Sequence, residues 1–341
     1  MAYTTIKKPS DYFNTKLYTG NGGTQSITGI GFQPDWVWIK NRTSAEGHGI
    51  FDAVRGVTKM LSSANADAET TTATSLTAFG SDGFSVGSNL RVNQSSNNIV
   101  SWNWLANGAG AANTDGTISS TVSASTTSGF SIVSYSGNST AGATIGHGLG
   151  VTPKMLIVRK RNTNENWLVY HSSTGNTGAT LLNGTNAFFA DDMWNNTSPT
   201  SSVFTVHGGD GANGSGGDYI AYCFAEKQGF SKFGSYTGNG STDGTFVYTG
   251  FKPAFVINKI YSGTTSNWNI FDNKRDGFND QNKQLYADLT NTEASGGKID
   301  LLSNGFKLRS SSSEVNGSGY GYIYMAFAEQ PLVGDNPATA R

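Results

Sequence analysis

The charged residues best placed for joint chemistry form an Asp-x-x-Arg pair that occurs twice. Asp52 with Arg55 and Asp272 with Arg275 share this spacing. A carboxylate and a guanidinium could together coordinate a sugar, or they could bridge a loop to its own strand. At the corresponding place in the middle of the chain the sequence is YHS (170–172). Because a shared chemical role should leave a shared pair, we favour the structural interpretation.

The histidines and one glycine-rich loop are weak candidates for a metal site. His48, His147, His171 and His207 show no HxH or HxxxH spacing. His207 and Asp210 border the loop GGDGANGSGGD (208–218), whose carbonyls and carboxylates could hold Ca²⁺. The loop lacks the regular carboxylate alternation of calcium loops, so a mobile loop is the favoured interpretation. We predict no metal and no cofactor.

Carboxylates suited to glycosidase chemistry are equally hard to nominate. Such a site needs two carboxyl groups about 5–10 Å apart in a groove. Glu226 and Glu329 are conspicuous, but each ends an apolar run where packing against the next segment explains it. No G-x-S-x-G elbow, phosphate-binding loop or dinucleotide fingerprint occurs. We therefore predict a protein that is not an enzyme and has no catalytic residues, with a glycan depolymerase as the less favoured alternative.

The aromatic residues leave one candidate for ligand binding. An exposed ring can pack on the C–H face of a sugar while polar neighbours bind its hydroxyls. Most aromatic residues fall in runs that read as core strands, but Trp194 lies in the polar segment DDMWNNTS (191–198). We predict a carbohydrate-binding site at Trp194, Asp191, Asp192 and Asn195, against the alternative of a purely structural role.

The elements that must position these residues occur in three copies. Tyr18 begins YTGNGG, Tyr135 begins YSGNST and Tyr236 begins YTGNGS. A phenylalanine precedes each motif, and a proline followed by a strongly apolar run comes after it. Each copy closes on an aromatic run, which is NIVSWNW (98–104), DYIAYCFAE (218–226) or GYIYMAFAE (321–329). Landmarks in one order, three times over, indicate tandem copies of one module.

Within a copy, the period of the apolar residues is that of β-strands. The run Trp36–Ile39 is continuous, as in a strand buried on both faces, whereas 84–87 alternates as in a strand with one wet face. Gly-Asn and Asp-Gly turns separate the runs, and the evidence for helices is thin. The sequence predicts an all-β fold of three tandem β-sandwich domains.

The repeats also predict a domain map. The segments are an N-terminal docking arm (1–12), a first sandwich (13–106), a linker (107–127), a second sandwich (128–228), a third sandwich (229–331) and a loose tail (332–341). Small polar residues fill the linker, which indicates a flexible or extended segment. We expect independent sandwiches that cluster with pseudo-threefold symmetry through modest, polar contacts.

Composition narrows the partners. The 23 Lys+Arg and 24 Asp+Glu leave a net charge of −1, which gives no electrostatic basis for binding nucleic acid or an anionic membrane. No apolar run approaches the roughly 20 residues of a membrane span, and no secretory signal begins the sequence. With one cysteine, Cys223, no internal disulfide can form. We expect synthesis in a reducing cytoplasm and export, if any, by assembly into a particle.

The opening segment, residues 1–42, resembles a module of structural proteins from marine tailed phages, notably those of cyanobacteria and pelagic bacteria. The motifs FDAVRG (51–56), LSS (61–63) and SDGFSVG (81–87) carry the resemblance further. It is close over residues 1–105 and weaker, though in the same order, in the second and third copies. The resemblance implies sandwiches of the jelly-roll or concanavalin-like type and a virion location, and it transfers no catalytic residues.

The resemblance implies a virion structural protein on the particle surface. Such a protein would be similar to a tail fibre or tip and would attach the particle to host-surface carbohydrate. Only about twelve residues precede the first copy, and no heptads follow. This departs from a long fibre and keeps open a capsid-decoration protein without a receptor role. We expect the arm (1–12) to become ordered on other virion proteins, and the chain to be oligomeric there.

Overall fold

The apolar and aromatic runs of the sequence fold into β-strands throughout the chain. The structure, a computed structural model, describes residues 3–277, 279–334 and 337–338. In these residues the only helical elements are α1 (Leu90–Asn93) and a 3-10 turn (Pro9–Asp11). All paired strands are antiparallel, so the predicted all-β sandwich fold is confirmed. No helix in the described part of the chain has the length and apolar character of a membrane span.

The first repeat contains nine strands. They are β1 (Phe13–Thr19), β2 (Gln25–Thr28), β3 (Trp36–Asn41), β4 (Gly49–Asp52), β5 (Lys59–Met60), β6 (Thr70–Thr71), β7 (Leu76–Gly80), β8 (Gly83–Val86) and β9 (Asn98–Trp104). The main sheet has the order β1-β9-β3-β4, and β2-β8-β7 form a second sheet. The short strands β5 and β6 pair with each other.

The second repeat has a wider main sheet. Its strands are β10 (Ala111–Asn113), β11 (Ser120–Ser125), β12 (Phe130–Ser136), β13 (Ala143–Gly146), β14 (Met155–Lys160), β15 (Leu168–His171), β16 (Gly175–Leu181), β17 (Phe189–Ala190), β18 (Val203–Val206) and β19 (Asp218–Phe224). The main sheet runs β10-β11-β12-β19-β14-β15-β16-β17, and β13 pairs with β18.

The third repeat forms one continuous sheet of eight strands. Its strands are β20 (Ser231–Thr237), β21 (Phe246–Tyr248), β22 (Phe251–Ser262), β23 (Asn269–Asp272), β24 (Gln281–Tyr286), β25 (Ala294–Leu302), β26 (Gly305–Leu308) and β27 (Gly321–Pro331). The order is β20-β27-β22-β23-β24-β25-β26-β21.

The main sheets of the three repeats share one topology and register. The orders β1-β9-β3-β4, β12-β19-β14-β15 and β20-β27-β22-β23 correspond strand for strand. Tyr18, Tyr135 and Tyr236 are each the sixth residue of the edge strand of this four-strand set and lie opposite equivalent residues of its neighbour. The landmarks of the sequence repeat therefore occupy equivalent places in the structure.

Each main sheet is buried on both faces. In β3, Val37 and Ile39 point into an apolar core between the two sheets of the first repeat. Trp36 and Trp38 point the other way, into a core shared with the second and third repeats. The alternation follows from the two-residue period of a strand, and it confirms the prediction of a strand without a wet face.

The shared core joins all three repeats through aromatic rings. Ring centroids lie 4.5 Å apart for Trp36 and Tyr222, 5.1 Å for Phe13 and Phe327, and 6.2 Å for Phe224 and Phe327. These three contacts connect the first repeat to the second, the first to the third and the second to the third. A buried aromatic side chain of about 200 Å² contributes on the order of 5 kcal/mol. The expectation of independent sandwiches with modest, polar contacts is therefore wrong.

Hydrogen bonds also join the three repeats, and they do so in a cyclic order. The residue just before β4, β15 or β23 has a ring with an N–H group, and this group donates to a backbone carbonyl of another repeat. The contacts are His48 Nε2 to Tyr286 O at 2.9 Å, Trp167 Nε1 to Ser62 O at 2.8 Å and Trp268 Nε1 to Leu181 O at 2.7 Å. The first repeat thus contacts the third, the second contacts the first and the third contacts the second. The three repeats therefore form a closed pseudo-threefold ring.

The segment predicted as a linker (107–127) is a structured part of the second repeat. Its strands β10 and β11 extend the main sheet, with β11 paired to residues 130–135 of β12. Asn107 N also donates to Ser123 Oγ at 2.8 Å. Small side chains suited to a flexible linker suit a sheet edge equally well when the neighbouring strand offers unpaired backbone groups, so the linker prediction is wrong.

The predicted docking arm is folded onto the third repeat in residues 3–12. Ile6 is 1% exposed and belongs to the shared core. Tyr3 Oη donates to Gly250 O at 2.6 Å, and the Tyr12 ring lies 6.0 Å from that of Phe230. The arm is thus ordered by its own chain, contrary to the expectation, because its apolar residues cover third-repeat surface.

The predicted loose tail (332–341) falls only partly within the described residues. Residues 335, 336 and 339–341 lie outside them. Ala338 N donates to Pro331 O at 2.8 Å, so the described part turns back on the end of β27.

Candidate functional site

The repeated tyrosine motif has a structural role. Tyr18 Oη donates to Val92 O at 2.6 Å, and the buried amide of Asn93 donates to Asn21 Oδ1 at 2.9 Å and to Gly23 O at 2.7 Å. The same contacts recur with Tyr135, Asn138 and Asn213, and with Tyr236, Asn239 and Asn316. The motif therefore fixes a turn to the loop before each closing strand, and its side chains are not free for a ligand.

The Asp-x-x-Arg pairs are buried at the contacts between repeats. Arg55 Nε donates to Asp52 Oδ2 at 2.5 Å, and both side chains are inaccessible to solvent. Tyr222 of the second repeat donates its hydroxyl to the same carboxylate oxygen at 2.8 Å. Glu69 accepts from Arg55 at 2.9 Å and from Arg161 of the second repeat at 3.0 Å. No sugar could reach this pair without separating the repeats, which supports the structural interpretation.

The second pair repeats this arrangement between the third and first repeats. Asp272 binds Arg275 at 2.6 Å and accepts from Trp102 Nε1 of the first repeat at 3.0 Å. Glu293 then links Arg275, at 3.2 Å, to Arg42 of the first repeat, at 2.8 Å. The two networks occupy equivalent positions of the ring.

The third equivalent position is His171. It is buried, and its Nε2 lies 3.2 Å from Tyr324 O of the third repeat. Burial lowers the pKa of His171 to about 4, although the hydrogen bond to the Tyr324 carbonyl opposes the shift. The imidazole is therefore neutral near pH 7 and donates to a carbonyl where the other repeats hold an ion pair.

The predicted binding residue Trp194 is not exposed. Its side chain is 1% exposed, Nε1 donates to Gly178 O at 3.0 Å, and the ring lies 5.9 Å from that of Tyr170. The prediction of a sugar-stacking ring at Trp194 is wrong, because the ring anchors its loop to the core of the second repeat.

The polar neighbours of Trp194 are at least partly accessible to solvent, although the Trp194 ring is buried. Asp192 is exposed and lies 3.4 Å from His207, whereas Asp191 and Asn195 are half-buried. Asp210 of the glycine-rich loop binds Lys160 Nζ at 3.1 Å. Among the described residues, no group of three or more histidine, cysteine or carboxylate side chains could hold a metal ion.

Exposed aromatic rings lie instead on β21 of the third repeat. The two-residue period puts Phe246 and Tyr248 on one face, where they are 44% and 55% exposed, while Val247 faces the core. The strand pairs with β26 as β2 pairs with β8 and β13 with β18. The positions equivalent to Tyr248 hold Thr28 and Gly146. An exposed ring at this place is thus particular to the third repeat.

Tyr248 forms one wall of a cleft of about 320 Å³ where the arm, the junction of the second and third repeats, and the end of β21 meet. We call it the Tyr248 cleft. Its lining residues are Tyr3, Glu226, Gln228, Gly229, Ser231, Lys232, Tyr248, Thr249 and Gly250.

Two hydroxyl groups converge at one end of the Tyr248 cleft. Gly250 has φ +82°, and a Cβ there would lie 2.8 Å from Tyr3 Oη and 3.6 Å from Tyr248 Oη. Glycine therefore lets both phenols approach the backbone. Burial, with a contribution from Tyr248, raises the pKa of Tyr3 to about 12. The Tyr3 hydroxyl consequently stays protonated at neutral pH.

The opposite wall supplies charged and amide groups. Lys232 Nζ donates to Glu226 Oε1 at 2.7 Å, and Phe233 N lies 3.4 Å from Glu226 Oε2. Gln228 is exposed beside them. A phenol ring, hydroxyls, an amide and an ion pair around one cleft can bind a neutral molecule with several hydroxyl groups.

Sequence reasoning missed this cleft, although two signals pointed to it. Comparing the repeats position by position sets FVY (246–248) against SIT (26–28) and TIG (144–146), where the aromatic residues stand out. The other signal is Glu226, which ends an apolar run, and its contacts with Lys232 and Phe233 fasten the junction of the second and third repeats. The participation of Tyr3 required the fold of the arm, which no local pattern predicts.

Comparison with known proteins identifies a family. The model of a domain of unknown function, DUF7483, matches residues 8–331. The chain belongs to this family. No curated protein matches it. The DUF7483 match runs through all three repeats, so the family corresponds to the whole ring and not to a single sandwich.

Proposed function

We propose that this protein is a non-enzymatic structural protein on the surface of a bacteriophage particle and binds host-surface carbohydrate in the Tyr248 cleft. The single observation that carries the binding role is the exposed ring of Tyr248 beside a cleft of hydroxyl, amide and charged groups. The virion location is supported by the resemblance of residues 1–105 to phage structural proteins.

The chemistry of the cleft favours a neutral saccharide. A sugar presents an apolar C–H face to an aromatic ring and hydroxyls to polar groups at its edge. The carboxylate and the ammonium group near the ring, Glu226 and Lys232, neutralise each other, so the cleft carries little net charge.

Binding without hydrolysis is supported by the carboxylates. Glycoside hydrolysis uses two carboxyl groups that flank the bond. Among the described residues that line the cleft, Glu226 alone carries a carboxylate, and it is engaged by Lys232 and the backbone of Phe233.

The test of the binding role is titration of the full chain with a panel of neutral oligosaccharides, monitored by NMR line broadening of the sugar protons. We expect at least one to bind, and Tyr248→Ala to weaken it at least tenfold, which is about 1.4 kcal/mol. Leu90→Ala is the matched control, since Leu90 is 53% exposed in the first repeat. Affinity that survives Tyr248→Ala, or no binding by any sugar in the panel, contradicts the proposal.

Two further measurements address the remaining parts of the proposal. Immunogold labelling of particles purified from the producing culture should mark the virion surface, and unlabelled particles count against the location. A reducing-end assay on any bound saccharide should show no cleavage. Turnover that Glu226→Gln abolishes would instead establish a hydrolase.

A further inference from the structure

The outer edge of β1 differs from the equivalent edge in the second repeat. Strand β12 has β19 on one side and β11 on the other, with the register Ser125↔Phe130 through Ser120↔Tyr135. Strand β1 pairs with β9, and no described residue forms a strand on its other side. One copy of the same sheet is therefore extended by its own chain, while another ends in an open edge.

The backbone groups on this open edge can be assigned. Leu105 N donates to Tyr12 O at 2.9 Å, and Gly20 N donates to Asn97 O at 2.9 Å. Hydrogen-bonded pairs alternate along an antiparallel ladder, so Phe13, Thr15 and Leu17 direct their N–H and C=O groups away from β9. Their counterparts on β12 are the residues that meet β11.

A groove follows this edge. Two adjoining cavities, of about 210 and 340 Å³, share Asn14, Thr15 and Lys274. One wall is β1 and the other is the turn after β23 in the third repeat. An extended chain advances about 3.3 Å per residue, so a segment of about seven residues would match the length of the seven-residue strand that it faces.

The groove contains polar atoms that need a partner. Thr15 is 6% exposed and Asn273 is 9% exposed. Thr15 Oγ1 and Asn273 Oδ1 have no hydrogen-bond partner among the described residues. Ile132 occupies the position of Thr15 in the second repeat, where β11 already covers the edge. Buried polar atoms are nearly always hydrogen-bonded, so these two indicate that a polar ligand enters here.

We propose that the outer edge of β1 accepts an extended segment of another protein as an added antiparallel strand, as β12 accepts β11. Main-chain hydrogen bonds would hold the segment, and its side chains would be small, hydroxylated or acidic. Small side chains are those that β11 itself uses. Lys16 and Lys274 line the groove with positive charge, and the carboxylate in its lining, Glu329, is paired with Lys252. The proposal concerns the contact of the first and third repeats and does not depend on sugar binding.

The edge of β20 is not an equivalent acceptor. Phe233 N, which faces outward there, lies 3.4 Å from the Glu226 carboxylate, and Lys227 pairs with Ser231 at the start of the strand. These contacts occupy backbone groups that an added strand would require. The structure thus offers one open edge of this type among the three main sheets in the residues that it describes.

The probe is a synthetic peptide with the sequence of residues 117–126, TISSTVSAST, which contains β11. A second version carries Asp in place of Ser119 and Ser125, and a scrambled peptide is the control. We expect hydrogen exchange of the full chain to slow at residues 13–19 when either β11 peptide is added, and the acidic version to bind at least threefold more tightly.

Two variants test the assignment. Thr15→Pro removes an outward N–H and should weaken both peptides at least tenfold, since edge strands tolerate proline where the N–H faces solvent. Lys274 is exposed, so Lys274→Glu should leave the fold unchanged. It should weaken the acidic peptide at least fivefold while the neutral one is unchanged.

Three outcomes would overturn the proposal. The first is the absence of protection at residues 13–19 with both peptides. The second is protection confined to residues 130–136, which would mean that the peptide displaces β11. The third is sedimentation showing that the chain pairs with itself in a manner abolished by Thr15→Pro, because the occupant would then be a second copy.

Discussion

Acidification should weaken the ring at two buried imidazoles, His48 and His171. His48 accepts from Trp38 Nε1 at 2.7 Å, and its Nε2 donates to Tyr286 O of the third repeat. Burial lowers its pKa to about 3, and the charge of Lys40 contributes to the shift. Burial likewise lowers the pKa of His171 to about 4. Both rings join the third repeat to a neighbour, so protonation acts where the ring closes.

The magnitude follows from the difference between the folded and unfolded pKa values. An unfolded histidine titrates near 6.5, so the unfolded chain binds more protons than the native chain as the pH falls towards 4 or 3. The stabilising contribution is complete above pH 6.5 and decreases below it. At pH 5, about 1.5 units below the pKa of the unfolded histidine, each histidine lowers the free energy of unfolding by about 2 kcal/mol, at roughly 1.36 kcal/mol per unit. The pair should cost about 4 kcal/mol.

The assay is urea unfolding, followed by tryptophan fluorescence, at pH 5, 6, 7 and 8. The double variant His48→Gln, His171→Gln keeps side chains able to donate and accept but cannot titrate. We expect it to lose about 4 kcal/mol less than the unmodified protein between pH 7 and pH 5. His207→Gln is the control, because the side chain of His207 is 39% exposed. Carboxylates affect all three proteins alike, so an identical pH slope in the double variant refutes the reasoning.

Two further variants test the arm and the repeated turn. Ile6→Ala should lower the free energy of unfolding by about 2–5 kcal/mol, because it leaves a cavity in the shared core, whereas Thr5→Ala on the exposed side of the arm should change it by less than about 0.5 kcal/mol. Asn316→Ala should cost about 2–3 kcal/mol, because it leaves the Asn239 turn without its buried partner, and exposed Thr242→Ala in the same loop is the control. Urea titration measures both, and equal effects for a variant and its control would contradict the assigned role.

The features predicted well from sequence were those that a local pattern determines. The continuous apolar run Trp36–Ile39 predicted a strand without a wet face, and β3 is buried throughout. Alternation over 84–87 predicted a half-buried strand, and Phe84 and Val86 are buried while Ser85 is partly exposed. The shared order of landmarks around Tyr18, Tyr135 and Tyr236 predicted equivalent strands, and their registers agree. Each of these depends on neighbours within a few residues of the chain.

The features predicted wrongly depend on which segments, distant in the sequence, pack against each other. A continuous apolar strand must be covered twice, but the run of Trp36 and Trp38 does not say that the second cover is another repeat. The polar residues around Trp194 are its neighbours in the chain, and they do not indicate the direction in which its ring points. The small residues of 120–125 gave no apolar period, because a strand that completes a sheet edge binds mainly through its backbone.

A closed ring of three repeats within one chain separates stability from function. The residues that hold the ring lie at equivalent places, such as Trp167 and Trp268, and a change at one weakens a contact between repeats. Equivalent positions on the outside carry no such constraint, and these are where the repeats differ. Tyr248 places an exposed aromatic ring where the other repeats hold Thr28 and Gly146, and the edge of β1 is open where that of β12 is covered. Because one chain encodes all three repeats, it can place a different site on each, which a symmetric homotrimer cannot do.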